Sequence, residues 1–328
     1  MRRLSVEELV ALVGRAGGSG AESSDNGPPR LAEDVALPAP LPQQPVARRA
    51  GRAVSSADLL GASATSPVML TGPLLRVRIG DPMPAGADAV IDPDLIQAVG
   101  PAAMATGEAE PGEGVRQAGT DVPPAGYLVP AGSVLDARLA AVLASVGRLS
   151  GAFGCARLDA SDRALPDPAV LAAAGALFGR IALPSGLRVT LSSDPDAEPV
   201  FGDERVLADG LALRPGDQTI AMEGGDGVRL ILPATLDSVV AVAAMLTAFG
   251  VVGLEGGVLA RKVASRVGIA EIALLRRDGE AFQVLATGDW PLWAIAAATH
   301  MLLVPPASEG YPPGTAVQAL PIGAWARG

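Results

Sequence analysis

The chain of 328 residues has one cysteine, Cys155, and one histidine, His300. With a single cysteine no intrachain disulfide can form. One cysteine and one histidine cannot supply the ligands of a structural zinc cluster. A Ser–His or Cys–His catalytic pair would have to use His300, and the stretch Ala298 to Val304 around it reads as a buried helix-to-strand junction, which makes His300 structural. Aromatics are 3% of the chain and charged residues 18%. The formal net charge is −10. An acidic surface repels phosphate backbones, and few aromatics are available to stack on bases, so nucleic-acid binding is not expected. A small anionic substrate remains compatible if a local basic pocket receives it. Long apolar runs are also missing. The most apolar, Ser238 to Phe249, is shorter than the roughly 20 residues a bilayer span needs. Glu7 and Glu8 come so soon after Met1-Arg2-Arg3-Leu4-Ser5 that no signal-peptide core forms. The expectation is a cytoplasmic protein without a membrane anchor.

What is present is a hydrophobic fraction of 49%, with 40 glycines and 29 prolines. That is enough apolar material for two or three domains built of short elements and tight turns. Ser5-Val6-Glu7-Glu8 is a capping box, and Val6, Leu9, Val10 and Val13 repeat at helical spacing, predicting a helix to about Arg15. Gly17 to Pro29 reads as a flexible connector. Residues from about 46 to 130 read as a small all-β unit, with strands over Leu74 to Ile79, Ala89 to Ile91 and Leu95 to Val99. A helix capped by Asp136 ends at Gly147. Strand and helix then alternate: a strand over Cys155 to Leu158, a helix opened by Asp167-Pro168, strands over Leu187 to Leu191 and Val228 to Leu232, and a helix from Leu236 to about Phe249. Gly224-Gly225-Asp226-Gly227 lies between strand-like runs with no helix directly after it, so it reads as a hairpin turn and not a phosphate loop. From Val258 the chain turns β again: Asp278-Gly279 joins two strands, Trp290 to Ala298 is a short helix, and two last strands flank Pro312-Pro313-Gly314.

Several ordered segments carry a resemblance. They are Leu31-Ala32-Glu33-Asp34-Val35; Pro82-Met83-Pro84-Ala85-Gly86-Ala87-Asp88-Ala89-Val90-Ile91; Pro111-Gly112-Glu113-Gly114-Val115-Arg116-Gln117-Ala118-Gly119-Thr120-Asp121; and Pro130-Ala131-Gly132 followed by Leu143-Ala144-Ser145-Val146-Gly147. Together they resemble the LAEDV, LPxGADAVV, PGxNVRxxGxD and LxxGxxL…LASLG motifs of the molybdopterin molybdenumtransferase family, which includes bacterial MoeA and the E domain of gephyrin. Residues 74 to 150 match well. The stretch from 151 to 256 matches poorly and is shorter than the family's.

The resemblance implies a multi-domain α+β fold. Residues 1–150 would form a split N-terminal linker and dimer region with an inserted β subdomain at about 46–135. A shortened α/β molybdopterin-binding-like domain would occupy 151–256, and a C-terminal β domain 257–328. The resemblance implies insertion of molybdenum into adenylated molybdopterin, with molybdate as the other substrate and Mg2+ as the metal. It also implies a homodimer, and a molybdoenzyme or another molybdenum-cofactor biosynthesis protein as partner. From the residues alone Asp121 reads first as a turn or cap residue behind Gly119; the resemblance reverses this, because it matches the aspartate that lines the family's active site, as catalytic and metal-binding residue. Arg214 and Gly216, in Arg214-Pro215-Gly216-Asp217-Gln218, resemble KPGKP. Ser238, closing Leu232-Pro233-Ala234-Thr235-Leu236-Asp237-Ser238, resembles the end of LPGNPVSA. These three are the expected cofactor-binding residues. For the second metal-site acid, Asp194 in Leu191-Ser192-Ser193-Asp194 and Asp162 in Ala160-Ser161-Asp162 both fit.

The sequence also departs from the family. Ala50 and Arg52 stand in Ala47-Arg48-Arg49-Ala50-Gly51-Arg52-Ala53-Val54 where the SAMDGYAV loop has its acid and its tyrosine. Asp217 replaces a lysine, Ala234 a glycine, and the glycine-rich GGVSVGxxD run has no counterpart. The alternative function is therefore a non-catalytic paralogue that binds molybdopterin or assists molybdoenzyme assembly. Arg48, Arg49, Arg52, Arg76 and Arg78 read either as a basic rim for an anion or as a solvated face.

Overall fold

The computed structural model describes residues 3–14, 30–37, 39–71, 74–100, 102–121, 126, 128–149, 158–161, 164–181, 183, 186–225, 227–247 and 252–322. The connector expected over Gly17 to Pro29 lies outside them, as do Cys155 and Asp162. The fold is mixed α+β. It divides into two compact units, Ala39–Asp121 and the remainder, Met1–Pro38 with Val122–Gly328.

The Ala39–Asp121 unit is all β apart from single 3-10 turns. Gly51–Val54 pairs antiparallel with Arg76–Val77 on one side and Ala89–Ile91 on the other. Ala102–Ala105 sits between Val68–Leu70 and Ile96–Val99. A small core of Val54, Leu59, Leu70, Ala89 and Ile91 fills the space between them. The strand read over Leu74 to Ile79 shortens to Arg76–Val77.

In the larger unit, helix α1 (Val6–Gly14) starts on the expected capping box. The Ser5 amide donates to Glu8 Oε2 at 2.9 Å and the Glu8 amide to Ser5 Oγ at 3.1 Å. Helix α2 (Ala137–Ser145) is capped by Asp136, whose Oδ1 accepts the Leu139 amide at 2.7 Å. Helix α3 (Pro168–Phe178) is capped by Asp167. Helix α4 spans Leu236–Thr247 and α5 Leu292–Ala297.

The first sheet contains β1 (Leu158–Ala160), β2 (Leu187–Ser192), β3 (Arg205–Asp209), β5 (Ile220–Gly224) and β6 (Gly227–Pro233). Its spatial order is β3-β5-β6-β2-β1. Strands β1, β2 and β6 run parallel, and β5 pairs antiparallel with β6 through the hairpin expected at Gly224–Gly227. Strand β5 is the strand-like run expected before the Gly224 turn, whereas β3 and also β4 (Leu213–Arg214) are not among those expected from the sequence.

The second sheet adds β7 (Glu255–Leu259), β8 (Ala270–Asp278), β9 (Ala281–Thr287), β10 (His300–Val304) and β11 (Ala316–Pro321) to β4. Its order is β4-β8-β9-β7-β11-β10, and a further pairing of β8 with β10 closes it into a ring, which leaves those five strands no free edge. One core runs through both sheets. Leu191, Leu232 and Val239 belong to the same cluster as Ile272, Trp290, Met301 and Leu320, so the interior is continuous past residue 256. His300 is buried at the start of β10. Its Nδ1 lies 2.8 Å from Thr299 Oγ1 and its Nε2 3.1 Å from Glu255 Oε2, a structural role as expected.

Candidate functional site

Three parallel strands end together, and each runs directly into polar residues. Ser161 comes after β1, Ser193 and Asp194 after β2, and Thr235, Asp237 and Ser238 after β6 at the start of α4. The carboxyl ends of parallel strands are where open α/β sheets receive ligands, because loop amides and helix N-termini converge there. Main-chain bonds hold this rim in register. The Ser161 amide donates to Leu191 O at 2.9 Å, the Ala234 amide to Ser192 O at 2.9 Å, and the Ser193 amide to Ala164 O at 3.0 Å. Side chains lock it further. Ser192 Oγ donates to Glu198 Oε1 at 2.8 Å and accepts the Asp194 amide at 3.1 Å. The Thr235 hydroxyl donates to Ser238 Oγ at 2.8 Å and caps α4 by accepting the Ser238 amide at 3.4 Å. Asp194 and Asp237 are both buried, so the rim offers hydroxyls and helix-start amides beside two carboxylates. Such a set suits an anion accompanied by a cation better than a bare anion.

Two of the sequence-selected residues, Asp194 and Ser238, fall on this rim. Gly216 lies alongside it. Its φ is +112°, and a Cβ built there would stand 3.2 Å from Val242 Cγ2, one turn along α4 from Ser238. Only a residue without a side chain fits that approach at that φ. Gly216→Ala should therefore lower stability by about 1–3 kcal/mol, read as a drop in the urea midpoint; an unchanged midpoint would show that the loop yields freely.

Arg214 is on β4, in the second sheet. It is bound bidentately to Asp289, Nε to Oδ1 at 3.0 Å and Nη2 to Oδ2 at 2.8 Å. Burial pushes its pKa down, but the charges of Asp289, Asp217 and Glu271 and the Asp289 hydrogen bond outweigh this and raise it. The cation is thus held inside a set of acids.

Asp121 belongs to the other unit. It is buried, and both carboxylate oxygens accept from Arg116 Nη1, at 3.2 and 3.3 Å. Its amide donates to Leu41 O at 2.9 Å, so it also serves the turn that Gly119 opens at φ +73°. In the same unit Arg49 pairs with Asp92 at 3.3 Å, and Arg52 donates to Leu74 O at 3.1 Å. Those two arginines of the suggested basic rim are thereby engaged within the fold. Among the described residues no group of three His, Cys, Asp or Glu side chains gathers as a metal site. No helix among them is long and apolar enough to cross a membrane.

Thr235 and Asp237 are not among the residues selected from the sequence. The available signal is the spacing Thr235-x-x-Ser238 directly after an apolar strand, a capping pattern at a strand end.

Residues 21–147 match the family described as MoeA N-terminal region (domain I and II). None of the curated proteins matches the chain. Two solved structures of the molybdopterin biosynthesis MoeA protein from Pyrococcus horikoshii are similar along nearly the whole chain. One is 20% identical over 98% of this chain and 99% of that chain, with a TM-score of 0.39. The other is 17% identical over 98% and 100%, with a TM-score of 0.38. A molybdenum cofactor biosynthesis protein from Pyrococcus furiosus is 18% identical over 42% of this chain and 48% of that chain, with a TM-score of 0.30. At this level of similarity the fold description rests on the strand pairings themselves.

Proposed function

We propose, for a MoeA-like chain whose residues 21–147 match the MoeA N-terminal family, a place in molybdenum cofactor biosynthesis, with molybdopterin or its adenylated form bound at the rim of β1, β2 and β6. The observation that carries this reading is the family match together with a strand-end rim in the larger unit. The Ser238 hydroxyl at the start of α4 would donate to a phosphate oxygen, which a helix start favours by its dipole. Mg2+ ordinarily takes one or two carboxylates plus substrate phosphates, so Asp194 is the acid that fits it on this rim. Molybdate would be the second substrate if molybdenum is inserted.

Insertion is the reaction the family resemblance implies. A second reading, binding without insertion, is favoured by the ion pair that engages Arg214 with Asp289. By resemblance, Ala50 also stands where the family has an acid and Asp217 where it has a lysine. The binding reading is therefore the better supported one.

Titration of the purified protein with molybdopterin and with adenylated molybdopterin tests it. Saturable binding of at least one is expected, weakened about three- to tenfold by Ser238→Ala at an unchanged unfolding midpoint. Absence of binding by both overturns the reading.

A homodimer belongs to the same proposal, with a molybdoenzyme or another cofactor-biosynthesis protein as a further partner. Helix α2 is used inside the chain, since Ala137 to Ala144 are all buried within the single protomer. A dimer must therefore use other surfaces, and light scattering at micromolar concentration reads the mass directly.

A further inference from the structure

A second site lies away from the strand-end rim. Residues 128–139, the turn and N-terminus of α2, face the helix α5 and the β8–β9 pair across a cavity of about 540 Å³. That volume is in the range of small-molecule pockets. Its walls are mostly apolar, with Leu128, Val134, Leu139, Leu285 and Trp293 among them.

Two cations line it, Arg138 and Arg276. Arg138 is more than nine-tenths buried. It donates to Ile295 O, to Ala296 O at 2.6 Å and to Asp136 Oδ2 at 3.2 Å. Its Nε has no partner among the described residues. Asp136 balances the charge of Arg138, so the two together are neutral. Arg276 is exposed, and among the described residues its guanidinium has no carboxylate partner. The cavity therefore combines an apolar body, an aromatic wall and one uncompensated positive charge.

We propose that this cavity binds a compact amphipathic monoanion, an aryl or alkyl carboxylate, with its apolar part against Trp293 and Leu285 and its carboxylate served by Arg276. The inference uses none of the residues assigned to molybdopterin and stands independently of that assignment.

Calorimetric titration with 1-naphthaleneacetate and its uncharged counterpart 1-naphthaleneacetamide tests it. The acid should bind more tightly than the amide. Arg276→Ala, an exposed change that leaves the fold alone, should weaken the acid by about threefold and leave the amide unchanged. Ala297→Phe, which places a ring in the cavity, should remove binding of both, with the unfolding midpoint confirming that the variant is folded. Three results would overturn the proposal: no heat with the acid up to its solubility limit, equal binding of acid and amide, or binding of the acid that survives Ala297→Phe in a folded variant.

Discussion

Glu204→Leu should cost about 3–5 kcal/mol of stability, and Arg229→Met less, whereas the double variant should recover most of the Glu204→Leu loss. The reason is the geometry of one ion pair in the first sheet. Arg229, on β6, is 4% exposed in its side chain and Glu204 is 6% exposed. Arg229 Nε reaches Glu204 Oε1 at 3.0 Å and Nη2 reaches Oε2 at 2.6 Å, a bidentate fork. Nη2 also donates to Pro199 O at 2.6 Å, and the guanidinium lies 4.8 Å from the centre of the Phe201 ring. Removing Glu204 leaves Arg229 as an uncompensated buried charge, which is the costly case, whereas removing Arg229 leaves Glu204 with Arg188, whose Nη2 lies 3.3 Å from its Oε1. Replacing both by apolar side chains removes the charge with its desolvation, which is often close to neutral.

Acid titration supplies a second readout of the pair. Burial pushes the Glu204 carboxyl upward, but the hydrogen bond from Arg229, the Phe201 amide and the charges of Arg229 and Arg188 outweigh it, leaving the pKa lowered. A lowered carboxyl stabilises the fold above its unfolded pKa of about 4.3, and loses that contribution as pH falls through the folded value. Chemical denaturation at neutral pH and below pH 4 would show the parent losing this contribution and the double variant lacking it. Single variants as stable as the parent would mean that the pair is hydrated and of little weight.

Local chemistry is the legible part of this chain. The capping box at Ser5 and Glu8, the caps at Asp136 and Asp167 and the hairpins at Gly224–Gly227 and Asp278-Gly279 are each decided by residues within four positions. The strands that escape a reading of the sequence are those whose partners lie far away or whose pattern is mixed. β3 carries Arg205 and Asp209 at a sheet edge, and β4 has only two residues, paired across to Ala270 and Glu271. The apolar period of α2 is plain in the sequence, but periodicity states only that a face is buried, not what covers it. The candidate site behaves in the same way. Asp194 and Ser238 can be selected as motif remnants, yet their meeting on one rim depends on the parallel pairing of β2 with β6. Nothing near Arg214 in sequence announces that Asp289 binds it, whereas the partner of Asp121 lies in its own motif. Arg116 is five residues from its partner and Asp289 is 75 residues from its own.

The Arg214–Asp289 pair and the substituted motif positions set the largest functional expectation. Expressed in a cell that lacks its own molybdenum insertase, the protein should leave molybdoenzyme activity several orders of magnitude below that of an intact family member at ordinary molybdate levels. Anchoring phosphates and positioning a metal is electrostatic work done by preplaced groups, and it requires that their charge be directed at the substrate. Here the Asp121 carboxylate accepts from Arg116 through both oxygens, and Arg214 is forked onto Asp289 with Asp217 and Glu271 adding negative charge. By resemblance, Ala50 stands where the family has an acid and Asp217 where it has a lysine. Each charge-assisted hydrogen bond missing from the reacting complex removes about 1.5–3 kcal/mol, and each 1.4 kcal/mol is about tenfold in rate. Such deficits do not add simply, but two of them acting in part already amount to roughly a hundredfold or more. Supplying Ala50→Asp and Asp217→Lys should not restore activity, because Asp289 still pairs with Arg214 and the glycine-rich backbone cradle has no counterpart to restore. Under the same conditions the purified protein should still bind molybdopterin or its adenylated form through the rim at Ser238. Activity equal to an intact family member from the unaltered chain would overturn the binding reading and leave insertion as the function.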